Sequence, residues 1–541
     1  MPDDNKQEQP PVVTASGRYT QLETLRSPVL MRARECSMLT IPALLPPEST
    51  NDTSQLPTPF QSVGARGVNN LSSKLLLALF PPGSSFFRLK VEDFLMDKLK
   101  ARGGDDPTAE IEAALAKVER ATLTRMEQKA WRPVLSECKK HLIVAGNGLL
   151  QILKGGGLKF HNLANYVVKR DVSGEPFEII VREGLSRKTL PPLVKAIVDS
   201  KTNAQGAPPA ADKDGDTIWL YTWVKKQDNG SWKVHQEVLD VLVKGTEGTY
   251  PKDKNAWIAA RWTAISGSDY GRGHVEEYLG DLHSLESLSQ SIVEFAANAS
   301  KIIWIFDEGG VTSRKEIEKA SSGSMVEGAV SNGKPKDIAV MAMEKFPDFQ
   351  VVKATADEIE HRMEQAFLLN SSIQRQAERV TAEEIRFMAG ELEQALGGTY
   401  SILGQELQRP LVVRLMLEMQ KERKLPTLPA DLVSPQIITG LDGLGRSSDL
   451  MKLDLLLAGV AQAFGPEAVA EYFSAGAYGK RRAAALSIDI EGLVRSEQEV
   501  QQSRAQKAQQ AMLEKTAPAG IKAMSDQAVA AQSAAAPAQQ Q

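Results

Sequence analysis

Between residues 275 and 299 the apolar side chains Val275, Leu279, Leu282, Leu285, Leu288, Ile292, Phe295 and Ala299 recur every three or four positions, the spacing of one helix face. At 1.5 Å per residue such a helix is roughly 40 Å long, more than most globular helices reach. A second helix is expected from Thr355, where Thr355-Ala356-Asp357-Glu358 has the pattern of a capping box and Ile359, Met363 and Phe367 follow on one face. The acidic residues around Glu360 and His361 then fall in a first helical turn, where the helix dipole favours carboxylates. Between the two helices lie short apolar runs at 302–306 and 338–343 and the turn pairs Gly309-Gly310 and Asn332-Gly333. Such a segment reads as a small β-containing module. A chain written this way carries that module on a helix pair and projects it from the body.

The rest of the chain supplies that body. Residues 1–160 read as helices broken by proline loops, with Pro42, Pro46, Pro47, Pro57 and Pro59 in one stretch and Pro81-Pro82-Gly83 closing another. A buried helix is predicted over 131–151, stopped by Gly155-Gly156-Gly157. From 160 to 262 the pattern becomes short β-branched and aromatic runs at 166–168, 177–181, 218–224 and 232–243, the mark of strands. Asn229-Gly230 predicts a two-residue hairpin with both positions at positive φ. The segment 201–215, with Pro208-Pro209, reads as a surface excursion. A second capping box, Thr381-Ala382-Glu383-Glu384, opens a helix that runs toward Arg423, with kinks expected at Gly397-Gly398 and Pro410. The fold class is therefore mainly α with inserted β modules.

Composition enters where it excludes. Sixty-four Lys and Arg face 68 Asp and Glu, a net charge of −4, so no overall positive field would hold nucleic acid or an anionic membrane. No apolar run approaches the ~18 residues needed to span a bilayer. The start of the chain has no signal-peptide pattern. Two cysteines, Cys36 and Cys138, make no disulfide framework, which suits a reducing compartment. The last 41 residues hold 13 Ala and 10 Gln and bury too little to offset their ordering entropy.

Motifs of catalysis are hard to find. No Gly-x-x-x-x-Gly-Lys-Ser/Thr loop and no Gly-x-Ser-x-Gly elbow occurs. Gly271-Arg272-Gly273 is too short for a dinucleotide fingerprint and reads as a turn before the long helix. The histidines His141, His161, His235, His274, His283 and His361 form no set with zinc-ligand spacing. Cys138 sits in an apolar helix, where a cysteine is ordinarily a small hydrophobe. No catalytic residue, metal or cofactor is expected. One polar link stands out: 371–380 joins two helices and carries Arg375 and Arg379, four apart, with Gln374 and Gln376. In a monomer it reads as an exposed connection with solvated charges.

Three separated blocks, in this order, resemble the portal proteins, or head-to-tail connectors, of short-tailed bacteriophages of the podovirus, autographivirus-like kind. They are Thr58-Pro59-Phe60-Gln61-Ser62-Val63-Gly64-Ala65-Arg66-Gly67-Val68-Asn69-Asn70-Leu71, the stretch from Tyr270-Gly271-Arg272-Gly273 through Glu276-Glu277-Tyr278-Leu279-Gly280-Asp281-Leu282, and Glu378-Arg379-Val380-Thr381-Ala382-Glu383-Glu384-Ile385-Arg386. The similarity runs from residue 17 to residue 495 or so and fails in the Ala/Gln-rich tail.

The resemblance implies a non-enzymatic subunit of a ring of about twelve copies at one capsid vertex. The ring would nucleate the procapsid, pass double-stranded DNA during packaging and ejection, and attach the tail. The implied divisions are a flexible N-terminus (1–16), a wing (17–268), stem helices (269–300 and 354–371), a clip (301–353), a tunnel loop (372–380), a kinked wing helix (381–425), a crown (426–512) and a disordered tail (513–541). Leu279, Leu282, Leu285 and Ile292 would form the stem interface, and Gln374, Arg375, Gln376 and Arg379 would line the DNA channel.

Implied partners are the terminase large subunit, which supplies the ATP hydrolysis this chain lacks, the major capsid and scaffolding proteins, and tail adaptor and internal core proteins, with no membrane. The implied location is the virion, after assembly in the host cytoplasm. A net-acidic pore with few basic contacts suits a conduit, because it adds little counterion-release affinity that would stall moving DNA. The rival reading is an intracellular DNA-processing enzyme with a diverged active site. Native mass separates the two, since a ring would reach several hundred kilodaltons and the enzyme would run as a monomer or dimer.

Overall fold

The computed structural model describes residues 13–48, 50, 54–82, 85–90, 107–204, 217–252, 254–299, 304–332, 334–340, 346–369, 382–425, 436–438 and 446–465, with scattered positions from 467 to 509. By their internal contacts these fall into two compact units. One comprises Met1–Phe86, Thr122–Thr427 and Thr439–Leu441, and the other Phe87–Ala121, Leu428–Ile438 and Asp442–Gln541. A continuous stretch 17–268 is therefore not one contact unit.

In the first unit, two antiparallel sheets meet a set of helices. The larger sheet runs in the order Tyr166–Arg170, Pro176–Ser186, Thr217–Lys226, Trp232–Val238, Val241–Leu242, with Gly248–Tyr250 also paired to Trp232–Val238. The runs 166–168 and 179–181 are continuously apolar because both faces of the sheet are covered there. Tyr166, Val168, Ile179 and Val181 join the main core. Val167 and Ile180, one residue out of phase, meet Tyr19 and Leu22, which stand on the helix Ala15–Met38. Alternation by twos thus feeds two cores from one strand. Arg26 of the same helix fastens the arrangement: its buried Nη1 donates to the carbonyls of Leu163, Ala164 and Tyr166 at 2.9, 3.0 and 2.8 Å.

The smaller sheet has Asn147–Ile152 between Trp257–Arg261 and Leu158–His161, which corrects the predicted helix over 131–151. The helix Trp131–Ala145 stops at Gly146, in the left-handed region at φ 71°. A Cβ there would lie 2.3 Å from the Arg272 carbonyl carbon, so any other residue would meet both strain and a clash. Leu149 therefore lies in a strand, and Gly155 and Gly156, both at positive φ, turn that strand into the next. Gly271-Arg272-Gly273, expected to be a turn, is extended instead, with Gly273 at φ −83° and ψ 157°. Arg272 bridges Thr263 and the Gly271 N–H donates to Asn147 Oδ1 at 2.8 Å.

The Asn229-Gly230 hairpin forms with a different loop. Only Gly230 has positive φ, at 80°, and the Gly230 N–H donates to the Gln227 carbonyl at 2.8 Å. Asn229 Oδ1 accepts from the Ser231 N–H at 2.9 Å. A three-residue loop with glycine at the left-handed position matches strand twist as well as the two-residue form does. Past the surface helix Pro192–Ala204, the excursion through 215 lies outside the described residues.

The helix pair is present with altered bounds. His274–Glu277 is a separate turn, and the outgoing helix is Leu279–Ala299. The returning helix is Phe346–Ala366, so it begins nine residues before the expected cap at Thr355. Phe349 stacks on Phe295 with ring centroids 4.8 Å apart, a contact that draws the helix outward. The Thr355 hydroxyl donates back to the Val351 carbonyl at 3.0 Å, a bond open to Thr inside a helix. Asp357, Glu358 and His361 are thus mid-helix, and the dipole argument for them fails.

The module between the helices contains Trp304–Phe306 paired antiparallel with Ile338–Val340, Val330–Ser331 paired with Lys334–Pro335, and the short helix Arg314–Lys319. Asp337 Oδ2 organises it, accepting from the Val311 and Thr312 N–H groups at 2.8 and 3.3 Å.

The helix predicted to reach Arg423 is interrupted. Ala382–Leu396 ends at Gly397 (φ 53°), Gly398–Leu403 follows, a π turn occupies Gly404–Gln408, and Arg409–Lys421 resumes with Pro410 in its first turn. The glycine kink holds. Pro410 sits where a helix N–H needs no partner, so the irregularity falls in the π turn before it. In the second unit Arg88–Lys90 pairs antiparallel with Gln436–Ile438, the Leu89 N–H donates to Glu119 at 2.7 Å, and Arg446–Phe464 is a further helix.

Candidate functional site: the clamped base of the helix pair

The stretch 58–71 grips both helices at their base. Before the helix Val63–Leu79, the Phe60 and Gln61 N–H groups donate to the Glu286 carboxylate of the outgoing helix at 2.9 and 3.2 Å. These bonds to a charged acceptor are stronger than neutral ones. Within the helix, Asn70 Nδ2 donates to the Phe367 and Leu368 carbonyls at 3.1 Å each, and Lys74 Nζ donates to the Leu368 carbonyl at 2.8 Å. Carbonyls at a helix end have lost their intrahelical donors, and this helix supplies replacements. Burial lowers the Lys74 ammonium below its ordinary pKa, with Glu391 opposing the shift.

Phe367, wholly buried, closes on this helix at Gly67. A Cβ on Gly67 would come within 2.4 Å of the Phe367 ring, so the contact exists only because the side chain is missing. Around the ring stand His274 and Tyr278, with centroids 5.5 and 6.4 Å away. His274 Nε2 donates to the Ala366 carbonyl at 3.0 Å. Burial lowers the His274 pKa, while that bond opposes the shift. At the surface, Arg66 meets Glu364 at 3.1 Å and Glu360 at 3.5 Å, and Arg362 meets Asp281 at 3.4 Å. Such exposed pairs add little energy but join the same elements.

The predicted interface residues divide. Leu282 and Leu285 are 0% and 3% exposed within the single chain, so residues of the same chain already cover them. Leu279 and Ile292 keep partial exposure, and Val293 and Val351 are 52% and 67% exposed. On the module Ile305, Val311, Met325 and Val330 are exposed as well. Gln374, Arg375, Gln376 and Arg379 lie outside the described residues, between Leu369 and Ala382. The clamp itself was missed from sequence: Gly67, Asn70, Lys74 and Glu286 received no role, and Phe367 was placed only on an apolar helix face, although Gly67 and Asn70 stand in the first resemblance block.

Chemically, this arrangement positions elements. Among the described residues no group of three or more His, Cys, Asp and Glu could hold a metal ion. Burial raises the Cys138 thiol to about 12, far from a thiolate at neutral pH. No described helix is long and apolar enough to cross a membrane.

The family described as bacteriophage head to tail connecting protein matches residues 13–494. The portal protein of Escherichia phage T7 is 39% identical over 530 residues, covering 97% of this chain and 96% of that protein. The portal protein of Enterobacteria phage T3 is 39% identical over 94% of this chain and 92% of its own length. That of Pseudomonas phage phiKMV is 32% identical over 80% and 83%. Among solved structures, the neck of an empty GTA particle aligns with 79% of this chain and 90% of that chain at 12% identity and a TM-score of 0.36, too low to bear on the argument. With a family match over residues 13–494 and relatives 39% identical over more than nine tenths of its length, the chain belongs to the bacteriophage head-to-tail connector, or portal protein, family.

Proposed function

We propose that this chain is the subunit of a ring, of about twelve copies, that joins a phage head to its tail and passes double-stranded DNA without catalysing a reaction. The observation that carries this reading is the match to portal proteins over 97% of the chain. The helix pair with its inserted module supports it. In the ring the pair is the stem and the module is the clip, whose exposed apolar residues suit docking of the terminase large subunit and later of tail adaptor proteins. Scaffolding, major capsid and internal core proteins would meet the body during assembly in the host cytoplasm, and the finished ring stays in the virion. The stem contact between copies falls to Leu279, Ile292, Val293 and Val351, the residues with surface to spare. The link carrying Gln374, Arg375, Gln376 and Arg379 leaves the clamp at Leu369 and faces the DNA axis in this reading.

Native mass spectrometry with negative-stain imaging tests the proposal. Copies of 59.0 kDa in a ring of about twelve give roughly 700 kDa and a central hole, with no nucleotide needed. A monomer or dimer at every concentration would leave the rival enzyme reading standing instead.

A further inference from the structure

The outer side of the helix Ala15–Met38 is written without charge. Between Gly17 and Met31 its charged residues all turn inward: Arg18 pairs with the buried Glu178 at 2.8 Å, Arg26 is itself buried, and Glu23 accepts from Arg26 at 2.9 Å. What faces out over that stretch is neutral, with Leu25 and Met31 61% and 66% exposed and Pro28 exposed between them. The three stand three residues apart, neighbours along one stripe of the helix. A helix that only met water would carry charge there, whereas charge removed and methionine kept is the composition of an interface core.

Pro28 is a second mark. A proline inside a helix costs ~3 kcal/mol and has no N–H to give the carbonyl four residues before it. That carbonyl belongs to Thr24, which is exposed as well, so an acceptor is left for a donor from outside the helix. The same compact unit also holds a surface of the opposite shape. Just past the end of this helix a groove of about 420 Å³ opens between residues 40–43 and 56–69. Ile41, Pro42, Leu56, Pro57, Pro59 and Ala65 give it apolar walls, and Lys140 is the one charged residue that lines it, with Asn69 a further donor.

We infer that these two surfaces meet between copies of this chain, Leu25, Pro28 and Met31 of one copy entering the groove of the next. The helix is convex and the groove concave. Neither is lined by a carboxylate, and the donors of Lys140 and Asn69 come to a helix face that has a carbonyl to spare. The two patches are also different parts of one chain, as a closed ring requires, since each copy shows one patch to the neighbour on one side and the other patch to the neighbour on the other. This inference rests on the ring reading and adds to it a contact on the body, apart from the helix pair.

Cross-linking of the full assembled chain tests it. Cys36 and Cys138 are 1% and 0% exposed, so the unmodified chain gives no background with a short bis-maleimide. Met31→Cys combined with Ser62→Cys puts one thiol on the helix face and one on the groove, where the Ser62 side chain makes no capping bond. A ladder of linked subunits is expected from the double variant and none from either single one. Met31→Asp, at an exposed position, should leave the circular dichroism unchanged and raise the concentration at which rings dissociate by about tenfold or more. An unmodified chain that forms no ring overturns the ring reading and this inference with it. Normal rings that give no ladder, or that dissociate alike with and without Met31→Asp, overturn this inference alone. Linked dimers from Met31→Cys by itself would mean that two helix faces meet each other, and overturn it too.

Discussion

Gly67 shows how one missing side chain sets the position of a helix. Because its Cβ would stand 2.4 Å from Phe367, Gly67→Ala must push apart the helix Val63–Leu79 and the end of the returning helix, an overpacking that costs about 1–3 kcal/mol. A lowered urea midpoint is expected, and an unchanged midpoint would show that the clamp has slack. His141 acts through burial instead. It is 3% exposed, its Nδ1 has no hydrogen-bond partner among the described residues, and burial pushes its pKa down to about 4. The unfolded chain binds that proton near pH 6.5. Between those values the unfolded state holds more protons, so stability is full above about pH 6.5 and declines toward pH 4 by up to ~1.4 kcal/mol per pH unit. His141→Leu should flatten the loss between pH 7 and 5. If both proteins weaken in parallel, another group is responsible.

At the scale of elements, burial separates two roles along the outgoing helix. Leu285→Asp places an unpaired charge inside the subunit, costing several kcal/mol or about that, and should abolish soluble protein. Val293→Asp changes a half-exposed position and should leave the subunit folded, by circular dichroism, while lowering the mass of the assembly. Rings of normal size and melting temperature in Val293→Asp would move the subunit contact off this face. The module offers a cleaner excision. Phe306 faces Ile338 in the register, so deleting 309–337 leaves Asp307 and Glu308 as a two-residue link between paired strands, a length antiparallel strands accept. Rings should survive while terminase or tail proteins no longer bind in pull-down. Retained binding would place the docking surface elsewhere.

For the whole molecule, the proposed ring multiplies every subunit's surface. In that reading a net charge of −4 per chain adds no overall field that would grip DNA, and contact is concentrated at the link 371–380. Arg375→Ala should leave ring mass unchanged and alter DNA retention or packaging rate in phage in a salt-dependent way, because exposed phosphate contacts are screened. Normal packaging and retention across salt would remove Arg375 from the DNA path.

Local periodicity by itself determined the element types: the stripe through Leu282 and Ile292, the strands from Tyr166 to Val238, the break at Gly397, and the module between two helices. It determined these because spacing of 3.6 or 2 is written in neighbouring residues. The resemblance blocks likewise fixed the family from side chains alone. Tertiary structure decided the boundaries and the clamp. The helix ends at Gly146 because the Arg272 backbone passes against it. The returning helix starts at Phe346 because Phe295 gives Phe349 a ring to stack on. Asn70 and Lys74 matter because the Phe367 and Leu368 carbonyls, some three hundred residues away in sequence, end beside them. Leu282 and Leu285 were legible as apolar but not as self-buried, since a stripe shows which face is covered and only packing shows by what.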